Sequence, residues 1–228
     1  MEDIYRILVF SDMHGNRRVV DIAKTILEKD GFNMVIYLGD FSEKIGDEKS
    51  NIEDAEYLVG RLNEHAKVKT LFGNCDTPKL QKFLEDQGIT LHNKLLFMGK
   101  TALIGWGGSH PTPFHTPSEF SESEIEKSLV KLMDEAAERG AEKLILFTHE
   151  PPANTKADEL PSGHVGSEAI RHIIEKYQPN LNVCGHIHEA KSTDHVGDTK
   201  IVNVGPASKG HFLALSVDGT IETEEINV

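Results

Sequence analysis

Five short polar clusters in this sequence carry residue types that bind metal ions. They are Asp12-Met13-His14, Gly39-Asp40, Gly73-Asn74-Cys75-Asp76, His149 and Gly185-His186-Ile187-His188. Carboxylate, amide oxygen and imidazole together suit zinc, manganese, iron or nickel better than calcium. Each cluster taken singly has an ordinary explanation. Asp-x-His arises by chance, Gly-Asp and Gly-Asn mark turns or caps, and a lone histidine is most often a loop residue. The signal is their joint occurrence, because each follows an apolar run.

Those runs are the elements that must position the clusters. Residues 4–10, 34–38, 67–72, 143–148 and 180–184 read as strands, with helices over 17–29, 52–65 and 167–177. This alternation predicts parallel strands in a layered α/β domain, whose strand C-terminal ends are the usual place for ligands. Between the two groups, the spacing predicts a helix near 78–87, strands at 93–98 and 101–106, and a long amphipathic helix over 121–139. Residues 41–51 and 150–164 read as loops. The segment 107–117 contains Pro111, Pro113 and Pro117 and cannot be a regular helix. The tail is mostly β, with strands near 191–196, 200–204, 211–217 and 220–226 and a hairpin turn at Asp218-Gly219. No linker or internal repeat is visible, so one domain over 1–228 with two sheets and outer helices is expected.

Taken in order, Asp-x-His, Gly-Asp, Gly-Asn-x-Asp, a lone His and Gly-His-x-His resemble the calcineurin-like metallophosphoesterases over roughly residues 4–204. The resemblance implies an α/β fold, a four-layer αββα sandwich of two mixed sheets flanked by helices, with a dinuclear metal centre. It also implies that Asp12, His14 and His188 bind one divalent ion, that Asn74, His149 and His186 bind the other, and that Asp40 bridges both. Two such ions, of Mn, Fe, Zn or Ni, can clamp a phosphate and lower the pKa of a shared water that then attacks phosphorus. A bridging position needs a carboxylate, with its several lone pairs. Asn74 adds a neutral carbonyl oxygen. Asp76 is expected either to orient a ligating imidazole or to cap the helix at Thr77-Pro78.

The sequence departs from the family at one position. Many members have Gly-Asn-His where this chain has Gly-Asn-Cys, and that histidine is thought to contact the phosphate or protonate the leaving oxygen. A thiol near pKa 8.5 replaces an imidazole near 6.5 poorly. Gly-Asn-Cys-Asp resembles the YfcE-like phosphodiesterase branch, so phosphodiesters are expected over monoesters. The alternatives are a phosphomonoesterase acting on small molecules or nucleotides, and a non-catalytic binding scaffold of the same fold. Cys75 itself reads as a small residue fitted beside the metals, or as a ligand or reactive thiol. His110, His115 and His164 could protonate the leaving group; His164 ranks first, because Gly166 and Ser167 follow it at a helix N-terminus.

The totals agree with an enzyme of small substrates. With 24 basic and 37 acidic residues, the formal charge is −13, which disfavours nucleic acid and anionic membrane as partners. Two cysteines, Cys75 and Cys184, make no disulfide framework. With no basic–apolar leader and no apolar run long enough to span a bilayer, the expectation is a cytoplasmic protein, with a homo-oligomer left open.

Overall fold

A computed structural model of the chain describes residues 4–228. In chain order the main elements are β1 (Tyr5–Phe10), α1 (Arg18–Asp30), β2 (Met34–Tyr37), α2 (Glu48–Leu62), β3 (Lys67–Thr70), α3 (Pro78–Asp86), β4 (Lys94–Met98), β5 (Thr101–Trp106), α4 (Glu122–Glu138) and β6 (Lys143–Thr148). Then come the two-residue strands β7 (Glu159–Leu160) and β8 (Gly163–His164), α5 (Glu168–Tyr177), β9 (Leu181–Cys184), β10 (Ser192–Val196), β11 (Thr199–Asn203), β12 (His211–Val217) and β13 (Ile221–Asn227).

The strand period of two builds the layers. In β1, Leu8 and Phe10 face a cluster shared with Val19, Val20, Leu58 and Leu80 of the first three helices, while Ile7 and Val9 face the other way. In β6, Ile145 and Phe147 share that second cluster with Ile7 and Val9, and Leu146 turns outward to Ile125, Leu129 and Ile170 of α4 and α5. The three clusters are thus helix-on-sheet, sheet-on-sheet and sheet-on-helix. This is the expected four-layer αββα sandwich. Strands covered on both faces are apolar through their buried centres, which is why Ile7–Phe10 of β1, all of β2 and Leu144–Phe147 of β6 read as apolar runs.

One sheet has five strands in the order β13-β12-β1-β2-β3, and the other has six in the order β10-β11-β9-β6-β5-β4. The neighbours β1–β2–β3 and β5–β6–β9–β11 are parallel, and the remaining pairs are antiparallel. No helix among the described residues is long and apolar enough to cross a membrane.

Two local expectations are corrected. The helix expected at 52–65 starts at Glu48, inside the stretch read as a loop, because Asp47 caps it by accepting from Ser50 N at 3.1 Å. The loop read over 150–164 holds a 3₁₀ turn at Lys156–Asp158 and the β7–β8 pair. The tail is mostly β as expected, with strands at Ser192–Val196, Thr199–Asn203, His211–Val217 and Ile221–Asn227, and short 3₁₀ turns at His188–Ala190 and Ala207–Lys209 beside them.

His92 shows how the strand ends are sealed. Its ring packs between Phe72 and Trp106, 4.5 Å from each centroid, and stacks on Phe120 at 5.5 Å. Gly107 N donates to its Nδ1 at 2.9 Å. Burial, with a smaller contribution from Lys94, pushes its pKa down to about 4 from an ordinary 6.5. The folded chain therefore binds this proton more weakly than the unfolded chain. The stabilisation is complete above pH 6.5 and is lost as pH falls toward 4, an effect of about 3 kcal/mol. Urea midpoints at pH 7.5 and 4.5 are expected to differ accordingly, and the difference should shrink in His92→Phe.

Candidate metal centre

Each of the five clusters begins where a strand stops. Asp12 follows β1, Asp40 follows β2, Asn74 follows β3, His149 follows β6 and His186 follows β9. The first three strands lie in the five-stranded sheet and the last two in the six-stranded sheet, so the clusters meet across the seam between the layers. Gly185 N donates to His149 O at 2.9 Å, and Asp12 N to Gly39 O at 3.0 Å. His186 N donates across the seam to Asp12 Oδ2 at 3.1 Å.

The close approach needs glycine at two positions. A β-carbon at Gly73 would overlap Asp40 Oδ1, and one at Gly185 would stand 2.6 Å from Asp12 Oδ2. The clusters themselves are strained. Asp12, His14, Asp40 and His186 all have left-handed φ, at 57°, 43°, 60° and 66°. That conformation costs on the order of 1 kcal/mol per residue, and such strain gathers at functional sites.

The side chains form two groups. In the first, His14 Nε2 and His188 Nε2 are 3.2 Å apart, and Asp12 Oδ1 lies 3.3 Å from His188 Nε2 and 3.9 Å from His14 Nε2. In the second, His149 Nε2 lies 3.1 Å from Asn74 Oδ1 and 3.7 Å from Asp40 Oδ1, with the His186 ring 5.0 Å from that of His149. Asp40 faces both groups, because its other oxygen, Oδ2, is 3.8 Å from His14 Nε2.

These residues fit two divalent cations. Asp12 Oδ1 is buried without a well-formed hydrogen bond among the described residues, a costly state for a carboxylate unless a cation meets it. Asp12, His14 and His188 converge their ligand atoms, as do Asp40, His149 and His186. Burial, and then the charge of His149, push His186 down to about 4, so its ring is neutral, the form that binds metal. Burial opposes ionisation of Asp12, but the adjacent His188 ring and then the other imidazoles outweigh it and hold this carboxyl below its usual range.

The imidazole-orienting role expected of Asp76 is corrected. His149 Nδ1 pairs instead with the backbone carbonyl of Leu38 at 2.9 Å. Asp76 braces the loops: Oδ2 accepts from Asp40 N and Gly73 N at 2.9 and 2.7 Å, and Oδ1 from Phe41 N and Asn51 Nδ2, both at 3.0 Å. The helix cap is Thr77, which accepts from Leu80 N. Burial, then the nearby Asp40 charge, push Asp76 up to about 7 against the pull of the Gly73 and Phe41 N–H groups.

Other residues in this framework carry no motif. Tyr37 is fully buried; its hydroxyl accepts from Met13 N at 2.9 Å and donates to Asp40 O at 2.8 Å. It ties the first cluster to the second. Asn51 spans from Asp76 to Thr77 N, 2.8 Å from its Oδ1. Asn74 Nδ2 donates to Thr116 Oγ1 at 3.1 Å. The one available signal is a polar-tipped residue inside an apolar run (Tyr37 in Met-Val-Ile-Tyr-Leu), since a buried hydroxyl needs a partner.

The flanking residues are also placed. Cys75 is half-buried, and burial together with Asp40 pushes its thiol far up, which keeps it protonated. Its N–H donates to Asp40 Oδ1 at 3.1 Å. His164 is exposed, and its Nδ1 pairs with the buried Asp158 at 2.7 Å, which raises its pKa. His110 Nδ1 pairs with the buried Glu150 at 2.7 Å, and His115 sits at a left-handed φ of 50° in the proline-rich loop.

Known proteins agree with this architecture. The family model described as calcineurin-like phosphoesterase matches residues 5–190. An uncharacterised protein of Methanocaldococcus jannaschii is 31% identical over 97% of both chains. A Thermus thermophilus structure superposes with a TM-score of 0.72 at 18% identity, covering 97% of this chain and 99% of its own. A Danio rerio dimetal phosphatase gives 0.70 at 10% identity, with 98% and 96% covered. At those identities the two structures speak to the fold alone.

Removing the Asp76 carboxylate would strand four donors. Asp76→Ala is expected to cost about 3–5 kcal/mol, or roughly 6–20 °C in melting temperature for a chain of this size. Asp76→Asn should also destabilise, because its amide nitrogen would face two N–H groups. Thermal melts of the metal-free proteins check both.

Proposed function

The chain belongs to the calcineurin-like phosphoesterase family, and from that premise we propose that it is a two-metal phosphodiesterase of small-molecule substrates. The observation that carries the reading is the position of Asp40, with one oxygen toward His14 and the other toward His149. Asp12, His14 and His188 would hold one ion, Asn74, His149 and His186 the other, and Asp40 both. When bound, two such ions supply Lewis-acid activation of water and a clamp on the phosphate oxygens. The chain's part is to keep the donors in place and neutral or anionic as required. Leu38 O fixes the His149 ring and leaves its Nε2 facing Asn74 and Asp40. Burial keeps His186 neutral. Cys75 occupies the place of the usual histidine, and its protonated thiol is a poor proton donor to a leaving oxygen. Diesters, or esters with good leaving groups, are favoured on that account.

The test is a panel of aryl phosphate mono- and diesters assayed with Mn, Ni, Zn, Co and Mg, with Asp40→Asn as the blank. The expected result is diester hydrolysis that falls to background in Asp40→Asn. Full activity in that variant would refute the two-metal reading. A clear preference for the monoester would refute the diester assignment.

A further inference from the structure

Asn74 is a metal ligand only if its amide presents oxygen to the centre. Its two ends are similar in size, and a flipped amide would aim N–H groups at a cation. Something in the chain must therefore select the orientation, and the proline-rich loop supplies it. Asn74 Nδ2 donates to Thr116 Oγ1 at 3.1 Å, and Thr116 Oγ1 donates to Glu119 Oε1 at 2.6 Å. The same Glu119 oxygen accepts from Thr116 N at 2.8 Å and from Thr112 Oγ1 at 2.6 Å.

These hydrogen bonds can run in only one direction. A carboxylate cannot donate, so the single hydrogen of the Thr116 hydroxyl is committed to Glu119. The hydroxyl can then only accept from Asn74, and only the amide nitrogen can give. The amide oxygen is left facing His149 Nε2, 3.1 Å away. Burial opposes ionisation of Glu119, but the bonds from Thr112 and Thr116 outweigh it and hold this carboxyl at about 2. The loop is also fastened to the Asn74 turn from the far side. Ser118 N donates to Asn74 O at 3.1 Å, and Ser118 Oγ to Asp76 O at 2.5 Å.

Resting on the two-metal reading, we infer that Glu119 and Thr116 are positioning residues: a carboxylate–hydroxyl relay that locks the Asn74 amide with its oxygen toward the second cation site. Outer groups that orient a ligand in this way typically change metal affinity 10- to 100-fold when removed.

Calorimetric titration of the metal-free full chain with Mn²⁺ tests the inference. Wild type is expected to bind two ions, and fewer than two would count against the two-metal reading itself. Thr116→Val keeps the shape of the side chain and loses the hydroxyl. It should weaken one of the two sites 10- to 100-fold and leave the other unchanged. Thr116→Ser retains the hydroxyl and should stay within about threefold of wild type. Glu119→Ala should reproduce the selective loss. The relay is overturned if wild type binds two ions and Thr116→Val does the same with unaltered affinities. It is equally overturned if Thr116→Ser loses as much as Thr116→Val, since the hydroxyl would then not be what matters.

Discussion

The site depends on how the chain holds Asp40. This residue stands at the seam of the two sheets with a φ of 60°, a conformation that still costs energy although Asp tolerates it better than most side chains. The neighbours supply the compensation. Asp76 accepts its N–H, the Tyr37 hydroxyl donates to its carbonyl, and the absence of a side chain at Gly73 leaves room for its carboxylate. These contacts aim two oxygens in two directions. With Asp40 rotated, the two groups of ligand atoms would have no common member.

The layers explain why such a site can exist at all. Strained loops and converging like charges cost stability, and the sandwich offsets that cost with three separate apolar clusters. The middle cluster, between the sheets, keeps the two sets of strand ends in register. Asp12, Asp40 and Asn74 arrive from one sheet, and His149 and His186 from the other. A slip of one sheet against the other would separate Asp40 from His149. The packing of Ile7, Val9, Ile145 and Phe147 is therefore a positional constraint on the centre.

Much of this is legible in the sequence, for a physical reason. Strands buried on both faces show as apolar runs, and a run that stops at Gly-Asp or Gly-His announces a polar residue at a strand end. That pattern alone puts Asp40 and His186 at strand ends. The start of α2 is hidden because Asp47-Glu48-Lys49-Ser50 reads as a polar loop, and only the bond from Ser50 N to Asp47 reveals it as a capped first turn. The role of Asp76 is hidden because its partners are mostly backbone N–H groups, which have no sequence signature. Thr116 and Glu119 escape notice for a related reason. Thr116 reaches Asn74 from 42 residues away along the chain, through a loop whose composition announces only that it is irregular.

If Asp40 joins two cation sites, anomalous diffraction from metal-loaded crystals will place both ions around it. Crystals grown with Mn²⁺ should show two peaks at the manganese edge, roughly 3.5–4 Å apart. One should lie among Asp12, His14 and His188, the other among Asn74, His149 and His186, with Asp40 between them. A single peak, or two peaks with Asp40 touching only one, would show that Asp40 does not bridge two ions.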